Sequence, residues 1–132
     1  MTTNPAPITA LYAALCAIIV LALALRIMVM RWQTKIGIGD GGDSRLARAI
    51  RIHGNAIEYV PIALILMLVA ELGGARTALL HGCGVVFVVA RVGHAMGLRR
   101  TAGLSIGRGI GTTGTVGVIA VLAVVDLLIF LK

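Results

Sequence analysis

The chain has 132 residues, of which 59% are hydrophobic and 13% charged, and its mean hydropathy is +1.03. Soluble domains carry about 25% charged residues, so a water-soluble globular protein is excluded. The formal net charge of +7 invites a nucleic-acid partner, but the cations follow the loops between apolar runs, and no nucleic acid is needed to explain them.

Four apolar runs of about 20 residues each are long enough to cross a hydrocarbon core. They cover approximately 8–30, 50–72, 77–98 and 109–131. The expected fold is all-α: an integral membrane four-helix bundle, one domain over 1–132, with no soluble domain attached. The first run is read as a membrane helix and not as a secretory signal, because Met1 to Leu25 contains no Lys or Arg and the apolar stretch is long. Of the two cysteines, Cys16 lies in the first run and Cys83 in the third. Both read as small buried hydrophobes.

The first loop holds Gly37, Gly39, Gly41 and Gly42 with Asp40 and Asp43. That is turn chemistry, and Asp43 or Ser44 can cap the next helix. The glycine run is not a dinucleotide fingerprint, since no strand precedes it. Two aspartates there fall short of a calcium site, and no metal is expected.

The second helix opens on Arg51-Ile52-His53-Gly54-Asn55-Ala56-Ile57-Glu58-Tyr59-Val60-Pro61. At about 100° per residue, Arg51, Asn55 and Glu58 fall within roughly 60° of one another and form a polar stripe. Charged groups at this depth are costly unless they pair or line a cavity, so the stripe reads as a polar site opening from the membrane surface. His53 points the opposite way. Pro61 removes one backbone bond within the helix, and a kink there would open space beside Glu58 and Tyr59.

The third helix carries Arg91 and His94 one turn apart, then Arg99 and Arg100. Gly93 and Gly97, with Gly107, Gly111, Gly114 and Gly117 in the fourth run, read as close-packing positions. Asp126 is an acid in the outer part of the fourth helix that could reach the outer interface within about two turns, which argues against a role in transport or catalysis. Basic residues gather on loops one and three, which share a side in a four-helix protein. That side is expected to be cytoplasmic, with both termini outside and anionic headgroups as helpful lipid partners.

The pattern Arg51-x-His53-x-Asn55-x-x-Glu58-Tyr59-x-Pro61, with Ala90-Arg91-x-x-His94-x-x-Gly97 late in the third helix, resembles the MAPEG family, membrane-associated proteins in eicosanoid and glutathione metabolism. The likeness extends over nearly the whole length and is closest to short bacterial members, which implies a bacterial inner membrane. It implies a homotrimer, with glutathione as co-substrate bound between subunits near the cytoplasmic face. Arg51, Asn55, Glu58, Tyr59, Arg91 and His94 would then form the glutathione site, with His53 supporting it. Arg108, at the start of the fourth helix, would be the catalytic cation near the thiol. Leu98 stands where many active members have a tyrosine.

Three functions are weighed. A glutathione transferase or peroxidase acting on apolar electrophiles from the bilayer is the leading reading. A non-catalytic structural or lipid-interacting protein that keeps the fold is the alternative. A small multidrug exporter needs a membrane-buried acid, usually in its first helix; Ile8 to Leu25 offers only Tyr12, which demotes that reading.

Overall fold

Local chemistry dictates where each helix begins and ends. The computed structural model describes residues 4–100 and 106–131, and side chains except those of residues 97–108. Its elements are α1 (Pro7–Thr34), α2 (Ser44–Leu72), α3 (Thr77–Arg100) and α4 (Ile106–Phe130). All four have the length and apolarity to cross a membrane. α1 and α2 exceed the expected apolar runs at their loop-one ends, because a helix keeps its backbone bonds into the headgroup layer wherever caps and polar side chains can complete them.

Asp43 is the cap of α2. Its Oδ1 accepts the backbone N–H groups of Arg45 and Leu46 at 2.7 and 3.3 Å. Those bonds, the Arg45 amide foremost, hold the Asp43 carboxyl below its ordinary value. Asp40 closes the preceding turn, its Oδ1 accepting Gly42 N–H at 2.9 Å. α2 stays helical through Pro61. It ends in a Schellman arrangement, with Gly74 at φ +81° and the Ala75 N–H donating to the Ala70 carbonyl at 2.9 Å.

α1 starts differently. Pro7 sits in its first turn and Ala6, the capping residue, offers no side-chain acceptor. The acceptor comes from the far end of α2: Glu71 takes the Ile8 N–H at 2.9 Å and the Thr9 N–H at 2.7 Å. A carboxylate at a helix N-terminus is also favoured by the dipole.

Consecutive helices pack as neighbours, and α2 and α3 form the centre of the bundle. α1 packs on both, α4 packs on both, and α1 and α4 do not touch among the described residues. The core runs through Tyr12, Cys16, Met67, Leu80, Phe87 and Leu122. On α4, Gly111, Thr115, Val118 and Leu122 make the inward stripe at helical spacing. A Cβ on Gly111 would come within 2.7 Å of the Ala90 carbonyl oxygen, so glycine lets α4 close onto α3. Gly117 has open space instead and plays no such part within one subunit.

The burial of α1 is lopsided. Thr9, Tyr12 and Cys16 are buried, and nothing after Cys16 is. Both cysteines are buried free thiols. Asp126 is half-buried, at a position that continues the inward stripe of α4, and among the described residues both its carboxylate oxygens are buried without a hydrogen-bond partner.

Candidate functional site

The polar stripe of α2 is real but divided. The buried positions Ile52, Ala56, Ala63 and Met67 centre roughly 130° around the helix from Arg51, at about 100° per residue. Asn55 and Tyr59 lie at the edge of that face and are half-buried. Arg51 and Glu58 lie beyond it, with side chains 71% and 54% exposed. A spread of about 60° therefore separates residues that reach into the bundle from residues that reach out of it.

Outside, Arg51 Nη1 and Glu58 Oε1 stand 3.8 Å apart across two turns. That is a long contact, and exposed pairs of this kind contribute about 0–1 kcal/mol in water.

Inside, α3 supplies Arg91, which is only 4% exposed. Its Nη1 donates to Asn55 Oδ1 at 2.8 Å. Its Nη2 donates to the Thr115 hydroxyl, and at 3.4 Å to the Gly111 carbonyl. The guanidinium also lies 5.7 Å from the centre of the Tyr59 ring and 5.9 Å from that of Phe87, within range of a cation–π attraction. Burying a cation is expensive without such partners, and three helices cooperate to supply them.

His94 is buried one turn further along α3, its Nδ1 3.3 Å from the Thr112 hydroxyl of α4. His53 is half-buried on another side of α2. Arg108 falls in the first turn of α4, and its side chain, like those of Leu98, Arg99 and Arg100 at the end of α3, lies outside the described ones.

The structure thus joins Asn55, Tyr59 and Arg91 in one network and Arg51 with Glu58 in a second, adjacent one. Thr115, Phe87 and the Gly111 carbonyl were not singled out in the sequence. A hydroxyl four residues after Gly111 on the inward stripe of α4 was the available signal for Thr115. Chemically, the arrangement offers an exposed cation and anion on a wall whose amide and phenol are held in place by a buried guanidinium.

Residues 9–128 match the family model of the MAPEG family. Two similar proteins are the "Inner membrane protein YecN" of Escherichia coli strain K12 and its counterpart in Escherichia coli O6:H1 strain CFT073. Each is 46% identical over 90 residues, which covers 68% of this chain and 69% of the relative.

Proposed function

Because the chain belongs to the MAPEG family, we propose that it is a multi-pass inner membrane protein that binds glutathione and acts as a transferase or peroxidase on apolar electrophiles from the bilayer. The observation that carries this reading is the division of α2 into an outward Arg51–Glu58 pair and an inward Asn55–Tyr59 edge braced by Arg91. Glutathione presents carboxylates, an ammonium, amides and a thiol. Arg51 suits a carboxylate through its fork, Glu58 suits the ammonium, and Asn55 has a second donor–acceptor edge besides the oxygen that Arg91 uses. Opening the long Arg51–Glu58 contact costs little, so a ligand with both charges can replace each half with its own.

The reading includes a homotrimer. A lone subunit would show Arg51 and Glu58 to lipid beside Ile57, Ile62 and Ile65, an environment that charged groups tolerate poorly. A neighbouring subunit covers that face and closes the site. With the basic loops inward, both termini face outside and the site opens near the cytoplasmic face. His94 and Tyr59 then shape the site, and His53 supports it. Arg108 is the cation for the thiol, whose free pKa of about 8.5 falls beside positive charge. In transfer, the thiol gives up its proton, sulfur bonds to the electrophilic carbon, and that carbon's leaving group departs with its electron pair.

A non-catalytic reading has its own support: both terminal nitrogens of Arg91 are satisfied by protein, and Leu98 lacks a hydroxyl. Thermal unfolding in detergent against glutathione concentration tests the binding site. Ligand that binds the folded state must raise the midpoint by mass action. Arg51→Ala should weaken binding by about 1.5–3 kcal/mol, and Arg51→Lys should recover only part of it. A flat midpoint overturns the site. Binding without turnover of a generic electrophile selects the non-catalytic reading.

A further inference from the structure

The loop-one end of α1 carries a groove that the glutathione reading does not use. It is an open hollow of about 550 Å³ lined by Arg31, Trp32, Lys35, Ile36 and Gly37. α1 has 28 residues, about 42 Å at 1.5 Å per residue, against a hydrocarbon core of about 30 Å. Its last turns therefore stand in the headgroup layer. The side chains there suit that layer: Trp32 is 87% exposed and Ile38, on the loop beyond, 94% exposed.

The charge is built in. Arg31 Nη1 donates to the carbonyls of Ile36, Gly37 and Gly39 at 3.1, 3.0 and 3.1 Å. These bonds fix the guanidinium at the groove wall through one nitrogen and leave the opposite edge of its fork unconsumed among the described residues. Lys35 ends α1 in a left-handed conformation, φ 56°, and is exposed. The nearby acids are turned to their own backbone: Asp43 caps α2 and pairs with Arg45 at 3.4 Å, and Asp40 accepts Gly42 N–H. The groove is thus cationic on one side and aromatic on the other.

We propose that this groove binds the phosphate of an anionic phospholipid from the leaflet facing loop one. Arg31 and Lys35 contact the phosphate oxygens, and Trp32 lies along the glycerol and upper acyl chain. A soluble phosphate ester shares the charge chemistry, but it gives the exposed indole and Ile38 no apolar partner.

Trp32 is the sole tryptophan of the chain, so its fluorescence reads the groove directly. In full-length protein reconstituted into phosphatidylcholine bilayers, brominated phosphatidylglycerol should displace host lipid from Trp32 better than brominated phosphatidylcholine does, by about fivefold or more. Lys35→Gln should lower that preference by about fivefold, the worth of one cation near an anionic surface. Arg45→Gln removes the same charge from the same loop outside the groove and should leave the preference close to that of the parent. Equal quenching by the two lipids overturns the site, and so do equal losses from the two substitutions, which would indicate a diffuse leaflet potential. Millimolar glycerol phosphate should not relieve the quenching; relief overturns the lipid assignment in favour of a soluble ester.

Discussion

The two ends of the bundle solve the same problem in opposite ways. At the end holding the termini and the α2–α3 turn, contacts within one chain complete the start of α1 and hold Tyr12, although the oxygens of Asp126 find no partner among the described residues. Glu71 caps α1, and the Tyr12 hydroxyl donates to the His81 carbonyl at 3.1 Å while lying 3.0 Å from His81 Nδ1. The Tyr12 ring lies on Gly84, where a Cβ would come within 2.3 Å of it. At the loop-one end, α1 contributes no buried residue after Cys16, and the Arg51–Glu58 pair is left on the outside. One end is tied together by contacts between distant parts of the chain; the other leaves a charged pair exposed. The difference separates residues that hold the fold from residues that the subunit leaves exposed.

That contrast can be broken most directly at Gly84. Gly84→Ala should push Tyr12 off α3 and cost its hydrogen bonding as well, about 3 kcal/mol in all. Gly82, with open space for a Cβ, provides the matched control, and Gly82→Ala should be close to neutral. Thermal unfolding in detergent compares them; similar midpoints would mean that the closed end is not closed by this contact.

Glu71→Ala should cost about 1–2 kcal/mol, the ordinary range for a lost helix cap, and Glu71→Gln less, since one acceptor remains. Amide exchange at Ile8 and Thr9 gives the local readout, and unchanged protection there would remove Glu71 from its capping role.

Asp43 sharpens the comparison through pH. Its folded-state value is lowered, so its stabilisation is complete above the ordinary aspartate value of about 3.9 and disappears as pH falls through the depressed folded value. Asp43→Asn keeps a capping oxygen but should flatten this part of the acid limb of melting curves. An acid limb identical to that of the parent would show that the cap is not coupled to folding.

The smallest effect is expected at the open end. Replacing Arg51 and Glu58 together by Ala should change unliganded stability by less than about 1 kcal/mol. A large loss would mean that the pair belongs to the scaffold.

What could be read in the sequence was whatever a single helix contains. Apolar length gave the four spans, Asp43 was one of two cap candidates with Ser44 before an apolar run, and Gly111 was among the glycines read as close-packing positions. The angular relation of Arg51, Asn55 and Glu58 was legible for the same reason. The split of that stripe was not, since it depends on where the neighbouring helices lie around α2. The Arg91–Thr115 bond joins residues 24 apart, and Glu71 reaches Ile8 across 63. No periodicity records such pairings. The burial of the Asp126 oxygens was not legible either: the depth of that residue is readable, but its azimuth depends on which face of α4 the bundle covers.

The capping of α1 by Glu71 bears on how the chain is made. α1 leaves the ribosome first, and nothing in its own first turn satisfies the Ile8 and Thr9 amides. Their acceptor is not synthesised until α2 is nearly complete. Until then those amides at the edge of the span depend on water, so α1 gains its cap from the chain itself only when the first hairpin closes. Insertion of the second span is thereby a step in completing the first, and the two helices mature as a pair.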